Sequence, residues 1–545
     1  MRKSLAALLL VVGCSSQSGS SADGVPTLEI TTPTRSTVSD TSMVSVTGKV
    51  TDDGPVKVTV NGTEVAPAAD GTFSATIDVG NGIGIIETHA IDTAGHDVQD
   101  VRAVLAGTVG TTDGKTAAAI GAHVGPAALT AIGTAVGHAA DGIDFTTLAK
   151  ASNPVYNNGG CLGATVNITS VTESGIDVAL APAAGSLTAD VAIHDVVVKL
   201  HASYKVACIG GSTDVTISAS KARIHGDLGV TVTGGKIATS LPSDSIAFDN
   251  FNLDVGGLPS ALTNIFEGEV RTKVQDALAG IIKSKVPPMA DGMLADLVAK
   301  PLSAAVLGHD AKFAMKPGKV ELSTGGMFVS VDTTVAVAGG EGGMYLASDA
   351  TISSALVAPA HGLGVAIAAD LLNQMFGGLH AAGAFEMSLP ISSVGPLAAI
   401  LDDDAATIDV ALALPPTVTI SGDKLTLSVG DLMITTKDAS GTVVQQLALS
   451  LRTALTSGPT QSGKLMLTVG TPEVHAQVIE QSDVVQRPLT SEQVQGLVTG
   501  VWGILGSTAN DALGKLPMPA IAGIQLGAPT ISGNSGFLVA DIALN

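Results

Sequence analysis

A chain of 545 residues is longer than one hydrophobic core serves, so two or three domains, or one very elongated one, are expected. Apolar residues make up 45% and charged ones only 14%, against about 25% in an average soluble protein, which excludes disorder as the main state. With 27 Lys plus Arg against 49 Asp plus Glu, the net charge of -22 repels phosphate backbones, and aromatics at 3% leave few platforms for stacking bases, so nucleic acid is excluded as a partner.

Arg2 and Lys3 precede an apolar run from Leu5 to Val12, which reads as an export signal over residues 1–13, too short to span a bilayer. Val11-Val12-Gly13-Cys14 resembles a bacterial lipobox, in which cleavage leaves the cysteine to carry lipid chains; each buried CH₂ adds about 0.8 kcal/mol of anchoring. Ser15 resembles the sorting residue that permits transfer to the outer membrane of Gram-negative bacteria. Residues 14–26 are then a lipid-anchor cysteine, Cys14, and a Ser/Gly tether.

Residues 27–106 alternate strictly. Val44, Val46 and Val50 form one strand face and Val56, Val58 and Val60 the next, ending at the hairpin dipeptide Asn61-Gly62; Phe73, Ala75, Ile77 and Val79 follow the turn Asp70-Gly71. Short strands with such turns predict a β-sandwich, and Val58 to Gly62 with Ala90 to Gly95 look like the Ig-like modules of bacterial surface proteins, which serve as spacers.

A different design begins at Thr116 and runs twice. A helix is predicted over Thr116 to Ala140, with Ile120, Val124, Leu129, Ile132 and Val136 as its apolar stripe; Pro126, His123 and His138 inside it argue for a helix in an apolar groove, not a membrane span. About a hundred residues of strands follow. Ser260 then caps a helix carrying Leu262, Ile265, Phe266, Val270, Val274, Leu278 and Ile281, stopped by Pro287-Pro288, and a shorter helix holds Met293, Leu294, Leu297 and Val298. In the second half, Gly362 to Ala382 is predicted as a helix with Leu371, Leu372, Met375, Phe376 and Leu379 on its apolar side. After further strands, Thr490 and Gln493 form a capping box opening a helix with Val494, Leu497, Val498, Val501 and Trp502. Two α+β domains of similar architecture result, 116–335 and 336–545.

Export places Cys161 and Cys208 in an oxidising setting that favours a disulfide, worth about 4 kcal/mol by loop entropy; two buried free thiols are the alternative. The histidines show no metal-ligand spacing. Gly458 to Lys464 has phosphate-loop spacing, but Leu465 stands where a Mg²⁺-binding hydroxyl belongs. Gly114-Lys115-Thr116 opens the predicted helix, but Val109 replaces the leading glycine. No G-x-S-x-G elbow occurs, and Asp402-Asp403-Asp404 reads as a solvated loop. No catalytic residue, cofactor, metal or nucleotide is expected.

The run Leu516 to Leu526 with its Pro-Met-Pro turn, followed by Gly536 to Asp541, resembles the ending of the family of bactericidal/permeability-increasing protein, lipopolysaccharide-binding protein and cholesteryl ester transfer protein. Phe313-Ala-Met with Val320 to Val335 resembles the family's central crossing strands, and Ala368 to Phe376 its second-domain helix. The resemblance implies a β-rich α+β chain: the Ig-like sandwich, then an elongated two-domain tubular (boomerang) fold of barrel-plus-helix units joined by a central sheet. Each unit would shelter phospholipid, sterol or other apolar lipid against the helical stripes. Two departures limit it: the acidic charge does not support capture of lipopolysaccharide by a cationic tip, and both cysteines lie among strands. The expected function is a non-catalytic lipid carrier, membrane-anchored through Cys14; an adhesive surface protein whose fold lacks a cavity, or an esterase, are the alternatives.

Overall fold

In the N-terminal module the inward valines come from two sheets. Thr27–Thr32, Met43–Thr51 and Thr72–Asp78 form one; Thr37–Ser39, Asp97–Ala106, Gly82–Ile91, Lys57–Val60 and Thr63–Val65 form the other. Val44, Val46, Val50, Val58, Val60 and Phe73 are buried between them, as the alternation requires. Asn61 and Gly62 turn left-handed (φ 46° and 76°), and the Asn61 side chain accepts the Glu87 N–H at 2.8 Å. The computed structural model describes residues 24–112, 114–257, 259–298, 302–348, 351–358, 362–393, 405–457, 467–482, 490–491, 493–495, 498, 526–534 and 536–544. The signal segment, Cys14, Leu497, Val501, Trp502, Asp402 to Asp404 and the 458–464 loop lie outside them.

The remainder is an internal repeat that the strand connections show directly. Helix α1 (Pro126–Ala140) precedes a seven-stranded sheet whose main path is Tyr156–Asn158, Leu162–Thr172, Ser186–Val206, Ile209–Thr233, Lys236–Asp249, with Gly175–Ala183 and Asn252–Asp254 paired to its middle strands. Along that first unit follow the short helix α2 (Phe145–Lys150), helix α3 (Ser260–Ile265), a π-helical turn Phe266–Val270 and the long α4 (Arg271–Val298). Helix α5 (Ala369–Ala381) precedes a second seven-stranded sheet, Met387–Pro390, Thr407–Leu412, Lys424–Lys437, Val443–Ser457, Leu467–Val469, with Thr417–Ser421 and Glu473–Gln481 attached at the matching places. Between the units lies a third sheet in the order Leu302–Val306, His309–Ser323, Gly326–Val337, Thr116–Val124, Gly362–Ala368, Phe537–Leu544, Leu526–Asn534. The strands that resembled a central crossing occupy this sheet, as does most of Gly536 to Asp541, whereas Leu516 to Gln525 lie outside the described residues.

Thr116–Val124 and Gly362–Ala368 are therefore strands, not the opening turns of helices as their spacing suggested. Ile120 and Val124 share a face in either geometry, because four residues are one helical turn or two strand repeats, and the small Ala122 hid the alternation. Pro126 sits at the first turn of α1, where its missing N–H costs nothing. Two further expectations are corrected. Ser260 makes no side-chain cap, since the preceding Pro259 occupies that position. The prolines 287 and 288 lie inside α4: Val286, Ala290 and Leu294 are buried against the first sheet on either side of them, and the Pro287 carbonyl accepts from Thr239 Oγ1 at 3.0 Å, so packing outweighs the lost helical bonds.

The module is not a free spacer. Asp431, 1% exposed, accepts from Ser36 N (3.1 Å), Ser36 Oγ (3.2 Å), Ala103 N (3.3 Å) and Arg35 Nη1 (3.4 Å). Around it Gln477 Oε1 accepts from Val101 N at 3.1 Å, Gln99 donates to the Ala476 carbonyl at 3.2 Å, and His475 pairs with Glu87. Burial lifts the Asp431 carboxyl above its usual range despite Arg35. The hydrogen bond to Glu87 raises His475, and the same bond lowers Glu87.

Three tests follow from this packing. Helix α1 rests on the strand Gly175–Ala183 through Gly133, where a Cβ would stand 2.7 Å from the Val178 carbonyl oxygen; Gly133→Val should lower stability by about 2 kcal/mol, read as an earlier urea midpoint. Asp431→Ala removes the acceptor of the Ala103 N–H and one partner each of half-buried Arg35 and Ser36, and should cost about 2 kcal/mol in the same assay, with Asp431→Asn milder. A histidine raised by its partner stabilises fully below its unfolded value of about 6.5, and that contribution disappears as pH climbs through the folded value; a carboxyl raised by burial weakens the fold in the same direction. The thermal stability that the parent chain holds over His475→Gln should thus shrink from about pH 6 towards pH 8, as a scan in steps on both proteins would show.

Candidate functional site

The predicted apolar stripes lie in two separate cores, both of which include residues of the central sheet. Leu129, Ile132 and Val136 of α1 and Phe266 join Val166, Ile193, Leu200 and Ile224 of the first sheet, with Leu262 of α3 also buried. Leu371, Leu372, Met375, Phe376 and Leu379 of α5 join Val337, Val418, Leu455 and Phe537. Val494 and Val498 are buried with Ile408, Leu447 and Ala476, and the capping box is formed, Thr490 N donating to Gln493 Oε1 at 3.0 Å and Gln493 N to Thr490 Oγ1 at 3.3 Å. Leu129, Ile132, Val136, Leu262, Phe266 and Leu379 are 0% exposed, so they border no water-sized space and pack directly on their neighbours.

Accessible apolar surface lies elsewhere, on the middle of the central sheet. Ile120 stands opposite Val331 on one side and Ile367 on the other, and Ile367 is in turn opposite Leu538. Val331 and Leu538 are sealed, whereas Ile120 and Ile367 at the centre stay half-buried and touch both cores. Met289 and Met293 of α4, Met315, Val320 and Leu322 of His309–Ser323, and Ile531 also remain partly accessible against the first core. Ile120 and Ile367 together form a half-open apolar strip against which hydrocarbon can pack. Of these residues, Ile120 alone is among the expected lipid contacts; Met293, Met315 and Val320 are expected only as parts of a helix and of crossing strands. Ile265 is partly buried against the first core, and Val124, beside Ile120, is sealed.

Helix α5 is buried from Ala369 to Leu379, including the polar Asp370, Asn373 and Gln374. Asn373 donates to the Leu346 and Val418 carbonyls at 3.1 Å and accepts from Val418 N at 2.6 Å, and Gln374 accepts from Val335 N at 3.2 Å and donates to the Gly114 carbonyl. Such a helix is a fixed wall; it cannot lift as a lid. Burial lowers the pKa of His123, and its Nδ1 has no hydrogen-bond partner among the described residues.

A groove of about 450 Å³ beside α1 is mixed in character: His138, Asp177, Asp190, Lys221 and Arg223 share its lining with aliphatic side chains such as Ile176 and Ile224. His194 and His225 pair across neighbouring strands with Asp177 and Asp190, both at 2.6 Å, and the bond to Asp190 raises the His225 pKa. Gly114-Lys115-Thr116 leads into a strand, so it lacks the helix a phosphate loop needs. Among the described residues no three His, Cys, Asp or Glu gather as a metal cluster, and no helix is long and apolar enough to cross a membrane. Cys161 and Cys208 form a disulfide, with Cα atoms 4.0 Å apart.

Residues 26–108 match the family model of glucodextranase domain B. No curated protein matches the chain significantly. Among solved structures, a lipopolysaccharide-binding protein is similar over 78% of this chain and 99% of its own, at 12% identity and a TM-score of 0.42. P47 from Clostridium botulinum A2 covers 77% of this chain and 96% of its own, at 11% identity and a TM-score of 0.27. Fibronectin(III)-like modules of CbhA from Clostridium thermocellum cover 41% of this chain and 94% of theirs, at 12% identity and a TM-score of 0.13.

Proposed function

We propose that this chain binds and carries an apolar lipid, a phospholipid or sterol, at a membrane to which Cys14 anchors it on the outer membrane of a Gram-negative cell. The observation that carries the reading is the half-open apolar strip at Ile120 and Ile367, where two repeated sheet-and-helix units meet. A sixteen-carbon chain leaving water gains about 13 kcal/mol at 0.8 kcal/mol per CH₂, so a strip without specific polar contacts suffices to hold it. The units supply wall and sheet, the strip supplies entry, and no bond is made or broken.

The test uses the full chain carrying Cys14→Ser, so that no anchor lipid is counted. Organic extraction and mass spectrometry should return co-purified lipid, and Ile120→Trp with Ile367→Trp should fill the strip and reduce the recovered lipid several-fold at unchanged thermal stability. Lipid-free protein whose properties ignore both replacements would return the chain to the adhesive reading. Turnover of short acyl esters abolished by one serine replacement would overturn the non-catalytic part.

A further inference from the structure

The hairpin of Ser186–Val206 and Ile209–Thr233 ends in a two-residue turn, Ala207-Cys208, with both residues left-handed (φ 51° and 65°). Side chains with a Cβ are disfavoured there, and glycine or asparagine would be the ordinary choice. Here the disulfide ties Cys208 to Cys161, and the Cys208 N–H donates to the Cys161 carbonyl at 3.1 Å. The staple holds the turn beside the start of Leu162–Thr172, so that Leu162 pairs with Val206 and Val206 with Ile209 in one cross-strand row. Residues paired in this way point to the same face. Leu162 is 52% exposed and Ile209 76%, the highest value among the large apolar side chains of the described residues.

Charge is also distributed unevenly. The two segments that build the tip, 155–163 and 202–213, contain no Asp or Glu in a chain carrying 49, and one cation, Lys205. We propose that this stapled tip is a docking point that inserts the Leu162, Val206 and Ile209 row into the interfacial region of a zwitterionic lipid bilayer. A bilayer is the fitting partner because three side chains fall far short of the roughly 20–30 residues per side that a stable protein interface uses, whereas insertion needs no complementary surface. The acid-free tip can approach headgroups that the rest of the molecule would not favour, and Lys205 can extend its stem and keep its ammonium in water. The backbone of the hairpin satisfies its own hydrogen bonds, which apolar surroundings demand. The inference deepens the lipid reading by naming where the carrier meets its membrane, but it stands on separate residues.

Flotation of the full chain carrying Cys14→Ser with phosphatidylcholine vesicles tests it. Binding should persist from 0.1 to about 0.5 M NaCl, where charge-driven contact is screened. Leu162→Asp with Ile209→Asp, both at exposed positions, should lower the bound fraction about tenfold at unchanged thermal stability. Ile209→Trp should shift its emission to the blue on vesicle addition, measured against the parent chain with its native Trp502. Undiminished binding by the double variant, loss of binding at high salt, or an unshifted Ile209→Trp emission would each overturn the proposal, as would self-association that the double variant abolishes without any vesicle binding. Lipid extraction on the same samples keeps the two readings apart: lipid-free protein that still docks through the tip removes the carrier alone, and lipid-loaded protein whose docking ignores the tip removes the tip alone.

Discussion

The pairing of Thr116–Val124 with Gly362–Ala368 is the constraint on which the rest depends. These strands open the two repeats, lie more than two hundred residues apart, and sit at the middle of a seven-stranded sheet whose edges are supplied by later hairpins. Each leads directly into the helix of its own unit, so their register sets how α1 and α5 enter their cores. The half-open strip at Ile120 and Ile367 is a consequence: it lies where the repeat brings equivalent strands together.

A second long-range contact determines the arrangement of the N-terminal module. Asp431 reaches Ser36, 395 positions away in sequence, and its buried carboxylate is surrounded by backbone and guanidinium donors. A carboxylate removed from water is tolerable only when several donors converge on it, so the joint selects one docking geometry strongly. Gly430 beside it brings backbone within contact of Ala103 and Ile83, where a side chain would not fit.

Much of this was legible in the sequence, for identifiable physical reasons. The sandwich could be read from valines at alternate positions and from Asn61-Gly62, because turn chemistry is local. The order helix, strands, helix in the first half was also readable, as was the capping box at Thr490, and the expectation of export with two cysteines favoured the disulfide. Boundaries failed where local signals coincide: Ile120 and Val124 fit two periodicities, and Pro287-Pro288 suggested a stop that packing overrode. Asn373 and Gln374 looked like the wet side of an amphipathic helix, yet they bond buried backbone of distant strands. Asp431 was invisible because its role exists only once Ser36, Ala103 and Arg35 surround it.

The docked module also changes what the proposed anchor can allow. A loosely strung sandwich would work as an articulated arm, letting the two repeated units range widely over a bilayer. With the sandwich bonded to the second unit, an anchor at Cys14, as proposed, would be joined to it by residues 14–26, a stretch that can span at most about 45 Å. The working radius would then be short, and the body would roll or pivot close to the bilayer rather than swing.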